Sequence, residues 1–265
     1  MVRGYNIQAN GIRHHLLHFA GDGPAMLLVP GITSPAITWG FVAERLARSY
    51  DVHVLDVRGR GLSQAGDLDY SLDAMAADVV ALVTAAGLGT PVVLGHSMGA
   101  RTAIRAARMA PESFSGLILV DPPVSGPGRR PYPAAWAWYE DSILMAQKGC
   151  SGADMRRFCP TWTDEQNDLR AEWLHTCQLD AIRTAFDGFH VDDIHADIAQ
   201  VTTPARLVVA GGATVIGASD IDEIRRLMPD IEVRIVEKAG HMIPWDDLEG
   251  FLSATLDFHP IRPTN

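Results

Sequence analysis

The sequence predicts an α/β fold: a mostly parallel sheet of eight strands with helices on both faces and one helical insertion. Two patterns carry this expectation. Short apolar runs such as "AMLLV", "PVVLG" and "GLILV" alternate with amphipathic stretches, as strands buried on both faces by crossover helices do. Residues 122 to about 200 then break the rhythm. They open on the proline- and glycine-rich "DPPVSGPGRRPYPAAW" and continue as helical segments holding four of the six tryptophans (136, 138, 162 and 173) and all three cysteines. Some seventy-five residues far exceed an ordinary loop. The expected division is a core of residues 1–122 and 200–265 with a helical cap of residues 123–199. A chain of 265 residues, 47% hydrophobic and 20% charged, can bury a core of that size.

In order along the chain, "YNIQA" and "IRHHLLHF" form a hairpin across Asn10-Gly11, a strong two-residue turn signal. "AMLLVPG" is a buried strand, "TWGFVAERLARSYD" is helical, and "VHVLDVRGRG" is a strand running into a polar, glycine-rich loop. "SLDAMAADVVALVTAAGL" is a helix capped by Ser71. "PVVLG", "ARTAIRAARMAP" and "FSGLILVD" give strand, helix and strand. After the insertion come "ARLVVAGG" with "SDIDEIRRLMP", whose cap is expected at Ser219, and "EVRIVEKAG" with "WDDLEGFLSATLDF".

A net charge of −10 leaves no basic excess for a nucleic-acid surface. No apolar run approaches the roughly 20 residues of a membrane span, and the start of the chain lacks a signal-peptide core. Cys150, Cys159 and Cys177 are odd in number and without metal-ligand spacing, so reduced thiols in a cytoplasm are expected. His14, His15 and His18 resemble a metal cluster on paper. In a strand, however, His15 points away from the other two, and no acid accompanies them. No metal or cofactor is expected, and no feature specifies an assembly state.

The chemistry concentrates in "GHSMG", residues 95–99. G-x-S-x-G between a strand and a helix is the nucleophile-elbow pattern, in which glycines two residues either side of the serine admit a sharp turn. Five residues alone are a weak signal, and a tight turn around an inert serine is the bland alternative. Placement after "VVL" and before a helix makes the pattern specific. The Met98 amide, at a helix N-terminus, would then stabilise an oxyanion, with Ile32 after Gly31 as the natural second donor.

With "LLVPG", "DVRGRGLS" (56–63), "GHSMG" and "GHMIPWDD" (240–247) in this order, the chain resembles the α/β-hydrolase superfamily over its whole length. Pro30 departs from the usual histidine before the glycine, which leaves a backbone oxyanion hole intact. The resemblance implies His241 as the base. His96 is expected to pack beneath the elbow, and His190 or His195 to line a pocket. The superfamily's usual acid position follows the seventh strand, but "GGATVIG" (211–217) holds no carboxylate, and Asp220 looks like a helix start. The alternative position lies one strand earlier, at Asp121 in "GLILVDPP". The triad is therefore expected to be Ser97, Asp121 and His241.

A serine nucleophile leaves esters, lactones, amides, thioesters and C–C bonds as substrates. "LLVPGITSPAITWGFVAERL", "GHSMGAR", "LILVDPP" and "AGHMIPWDD" together are similar to the N-formylmaleamate deformylase family of aerobic nicotinate degradation. That resemblance implies cleavage of a formyl–nitrogen bond in a small acidic substrate, without a cofactor. A relative acting on an enol-lactone, an acetamidomethylene dicarboxylate or a small ester would show the same residues, as would a small-molecule receptor on the same fold. Arg101, Arg129, Arg130, Arg156, Arg157 and His190 are candidate anchors for the acid. The cap as a whole is not basic, since residues 123–199 hold seven Lys or Arg against twelve Asp or Glu.

Overall fold

The computed structural model describes residues 2–260. Eight strands are present: β1 (Val2–Ala9), β2 (Ile12–Phe19), β3 (Ala25–Val29), β4 (Asp51–Asp56), β5 (Val92–His96), β6 (Gly116–Val120), β7 (Ala205–Ala210) and β8 (Glu232–Val236). They form one sheet in the order β1-β2-β4-β3-β5-β6-β7-β8. β2 pairs antiparallel with both β1 and β4, and every pairing from β4 to β8 is parallel. The first hairpin turns at Asn10 (φ 47°) and Gly11 (φ 77°), the two positive values that a tight turn matched to strand twist requires.

The core strands alternate between two apolar layers. Leu27, Val93, Leu117, Leu119 and Leu207 face one, while Met26, Leu28, Val92, Leu94, Ile118 and Val208 face the other. Helices α1 (Gly40–Leu46), α2 (Leu72–Ala85) and α3 (Met98–Met109) connect the first parallel strands. Ser71 caps α2, its hydroxyl accepting from the Ala74 amide. Between β6 and β7 the chain leaves the sheet and forms α4 (Trp136–Gln147), α5 (Gly152–Met155), α6 (Asp164–Trp173), α7 (Leu179–Val191) and α8 (Ile194–Ile198). α9 (Ala218–Leu227), α10 (Ile243–Asp246) and α11 (Leu248–Thr255) complete the fold.

Two local expectations are corrected. α9 starts at Ala218 rather than after Ser219, because the Asp220 carboxylate reaches back to accept from the Gly217 amide at 2.7 Å. The three histidines of β2 do have acids, supplied by other elements. His14 Nε2 lies 3.4 Å from Asp78, His15 Nδ1 2.8 Å from Asp56, and His18 Nε2 2.6 Å from Asp51. Among the described residues, His18, Asp51 and His53 are the group whose ligand atoms converge, within 4.8 Å of one another. There the Asp51 carboxylate already takes a ring nitrogen on each oxygen.

The β5–α3 junction has no spare space. A Cβ on Gly99 would sit 1.9 Å from the Val29 carbonyl oxygen, and one on Gly95 would sit 2.4 Å from the Gly99 carbonyl oxygen. Both colliding atoms are backbone, so α3 would have to move away from β3 and β5. Gly99→Ala is expected to cost at least about 2 kcal/mol through overpacking, read as a lower denaturation midpoint. A variant as stable as the parent chain would show that the junction can relax.

Candidate active site

Ser97 follows β5 with φ 54° and ψ −118°, a strained conformation for a residue with a side chain. The strain turns the chain straight into α3 and leaves Ser97 at the C-terminal edge of the sheet, where ligands of open parallel sheets bind. Asp121 leaves the neighbouring strand β6 at φ 45° and is fully buried. His241 follows β8 on a loop and is partly exposed.

These residues form one hydrogen-bonded chain. Asp121 Oδ2 lies 2.6 Å from His241 Nδ1, and His241 Nε2 lies 3.0 Å from Ser97 Oγ. An ionised carboxylate only accepts, so Nδ1 carries the ring proton and Nε2 is left to accept from the serine hydroxyl. The other Asp121 oxygen accepts from the Ala210 amide, which fixes the carboxylate plane. Chemically, this arrangement can deprotonate Ser97 and hold the resulting imidazolium.

His96 lies beneath His241, its Nε2 2.9 Å from the His241 carbonyl oxygen. Burial, reinforced by the neighbouring His241 charge, pushes its pKa down to about 3, so it stays neutral. It therefore adds no second positive charge against the base. Above the serine is a chamber of about 690 Å³, lined from the core by Gly31, Ile32, His96, Ser97 and His241. The segment between β6 and β7 closes it with Tyr132, Trp138, Tyr139, Trp162 and Arg170.

A sequence profile of the alpha/beta hydrolase family matches residues 26–254. The chain belongs to this family. N-formylmaleamate deformylase of Pseudomonas putida is 60% identical over 263 residues, covering 98% of each chain. The 2-(acetamidomethylene)succinate hydrolase of Mesorhizobium japonicum is 32% identical over 267 residues, covering 90% of this chain and 88% of the relative. A crystal structure of an N-formylmaleamic acid deformylase variant from Pseudomonas putida S16 superposes with a TM-score of 0.93 at 67% identity. It covers 95% of this chain and 99% of its own.

In this alpha/beta hydrolase, one buried arginine organises the two expected oxyanion donors. Arg60 Nε donates to the Ile32 carbonyl at 3.1 Å, and Nη2 reaches the Met98 sulfur at 3.4 Å and the Ala181 carbonyl of α7 at 3.2 Å. The loop carrying the Ile32 amide is thus tied to the elbow and to the helical insertion at once. Met98 opens α3, where first-turn amides have no partner within the helix. Gly31 passes close to the nucleophile: a Cβ there would lie 3.0 Å from His96 Nδ1 and 3.6 Å from Ser97 Cβ.

The candidate substrate anchors are not brought to the chamber. Arg101 is buried and donates to the carbonyls of Pro123, Ser125, Gly188 and Asp192, which pins α3 to both ends of the insertion. Arg129 makes a two-point pair with Glu223, at 2.8 Å for each contact. Arg130 pairs with Asp220 and donates to the Thr214 and Val215 carbonyls. Arg156 pairs with Asp164, and Arg157 lies over the Phe158 ring. His190 donates from Nδ1 to the Phe186 carbonyl of its own helix. His195 is buried outside the chamber lining, its ring nitrogens 3.9 Å from Asp193 and Glu223.

Two residues absent from the sequence-based expectation do reach the site. The Tyr132 hydroxyl lies 3.4 Å from His241 Nε2 and within hydrogen-bonding reach of Ser97. Tyr139 donates to it at 3.3 Å. Burial raises the pKa of both phenols, so each remains a neutral donor. Neither carries a spacing signal in "RRPYPAAWAWYE"; only its position immediately after the acid-bearing strand hints at proximity. Cys159 also lines the chamber, but burial raises its pKa and keeps it a thiol.

Asp121→Asn would present a donor where Nδ1–H needs an acceptor, leaving the imidazole in the wrong tautomer. A fall of about 10⁴-fold in kcat is expected with the fold kept. Asp220→Asn removes a partly exposed helix-cap contact and its pair with Arg130, costing at most about 1 kcal/mol of stability and little activity. Parallel kinetics and melting curves on the two isosteric variants check the assignment, and damage confined to Asp220→Asn would reverse it.

Proposed function

We propose that this chain hydrolyses N-formylmaleamate to maleamate and formate. End-to-end 60% identity to the Pseudomonas putida deformylase carries the substrate assignment, and the Ser97–His241–Asp121 geometry supports the mechanism.

The reaction begins when Ser97 Oγ attacks the formyl carbon and its proton passes to His241 Nε2. The carbonyl oxygen becomes an oxyanion between the Ile32 and Met98 amides. Protonated His241 then donates to the departing nitrogen as the C–N bond breaks, releasing maleamate and leaving Ser97 formylated. Water, deprotonated by His241, attacks the formyl ester; formate leaves and the serine recovers its proton. Asp121 holds the imidazolium throughout. The substrate favours this route, because a nitrogen flanked by two carbonyls leaves more readily than that of a simple amide. Tyr132, fixed by Tyr139, closes the space beside the reacting carbon and presents a hydroxyl to the substrate.

Residues 123–199 act as a cap over residues 1–122 and 200–265, and the only ligand required is a small acidic molecule. Among the described residues no helix is long and apolar enough to cross a membrane. Three free cysteines fit a reducing cytoplasm.

Formate release from N-formylmaleamate, measured beside a panel of p-nitrophenyl esters, tests the assignment. Turnover confined to the esters would refute it. The formyl substrate is expected to exceed its acetyl analogue by at least about tenfold in kcat/KM, because a closed acyl pocket penalises one extra methyl. Equal rates would favour the acetamidomethylene-dicarboxylate chemistry named for the Mesorhizobium relative. EDTA is expected to leave turnover unchanged, as no step above uses a metal; zinc-restorable loss would contradict the mechanism.

A further inference from the structure

Buried guanidinium groups in this protein follow a consistent pattern. Arg58 pairs with Asp78, Arg206 with Glu232 and Asp257, and Arg60 and Arg101 each donate to several backbone carbonyls. Arg170 departs from it. It projects from α6, is only 4% exposed, and its Nε and Nη2 are buried without a hydrogen-bond partner among the described residues. No carboxylate among the described residues lies within ion-pair distance of it.

A buried cation without a counter-charge is costly, and cations kept that way usually have a ligand to meet. Arg170 faces the place where one would be. It lines the same chamber as Ser97 and His241, and it is the one lysine or arginine among the described residues that do so. Its guanidinium carbon lies 5.0 Å from the Trp138 ring centroid and 5.7 Å from that of Trp162. Aromatic faces hold a guanidinium by its π surface and leave its N–H edge free, which is how a planar fork is presented to a carboxylate.

We infer that Arg170 is the carboxylate-binding residue of the chamber, gripping the substrate's acid group in a two-point contact. The inference deepens the function proposed above and rests on it for the identity of the substrate. The anion site itself is defined by chemistry alone: a small planar carboxylate on a molecule short enough to place an acyl carbon at Ser97. The cap need carry no net positive charge, because a single desolvated guanidinium sets the local sign.

The test compares the wild-type protein with Arg170→Met and Arg170→Lys, using N-formylmaleamate, neutral p-nitrophenyl acetate, and maleate as an inhibitor of ester hydrolysis. In Arg170→Met, kcat/KM for the acid relative to the neutral ester is expected to fall about 10²-fold, mostly through KM, and the inhibition constant of maleate to rise by a similar factor. Arg170→Lys should fall between the two, because an ammonium supplies charge without the fork. The maleate measurement reads the anion site through a neutral substrate, so it decides the inference even if no formate is released from N-formylmaleamate. Maleate that fails to inhibit the wild-type protein, or inhibits Arg170→Met equally well, overturns the assignment. If Arg170→Met does not fold, a maleate-soaked crystal of the wild-type protein decides: a carboxylate on Nε and Nη2 supports it, and one held elsewhere overturns it.

Discussion

The site depends first on a steric constraint at one peptide junction. The α3 backbone lies so close to β3 and to β5 that only glycine fits at 99 and 95 respectively, and Ser97 between them adopts positive φ. That conformation points Oγ out of the sheet and places the Met98 amide at the start of a helix. Among the described residues, three non-glycine positions have positive φ: Asn10 in a hairpin turn, Ser97, and Asp121. The last two are the proposed nucleophile and acid, at corresponding ends of adjacent strands. Backbone strain therefore marks the chemistry independently of any motif, and the surrounding sheet holds it in place.

Electrostatics refines what sterics positions. A serine hydroxyl is a poor nucleophile unless its base can accept a proton and hold it. Asp121 supplies the compensating charge, and the dry setting of its carboxylate strengthens that interaction. His96, directly beneath, would oppose it if charged, but burial denies it a proton. The two histidines differ chiefly in solvent access: His241 is partly exposed at the chamber, while His96 is almost fully buried against the Trp39 ring.

Much of this was legible in the sequence because it depends on local patterns. Alternating apolar runs give the strands, Asn10-Gly11 the hairpin and Ser71 the helix cap, since each reflects backbone requirements within a few residues. The vacant position in "GGATVIG" directs attention to Asp121 because the two acid positions flank the same histidine. Contacts between distant segments were not legible. His14, His15 and His18 looked unaccompanied because Asp78, Asp56 and Asp51 approach from other elements. The charge count of residues 123–199 shows an excess of acids, and nothing in the sequence separates an arginine facing the chamber from those paired elsewhere, such as Arg101 or Arg129. Arg170, buried in the wall of the chamber, has no sequence signature apart from its place on a helix between tryptophans.

Arg60 and Arg101 join the insertion to the core, and both do so by donating to main-chain carbonyls: Ala181 for one, Pro123, Ser125, Gly188 and Asp192 for the other. A carbonyl group is the same whatever side chain its residue bears. These two attachments are thus indifferent to the identity of the side chains they fasten, unlike the ion pairs Arg129–Glu223 and Arg105–Asp197 that also tie the insertion down. Residues that shape the chamber can change without disturbing these two attachments, while Ser97 sits at a junction where a Cβ on Gly95 or Gly99 would meet backbone atoms. An architecture joined in this way lets the wall of the chamber change through the insertion, with Ser97 and His241 left in place.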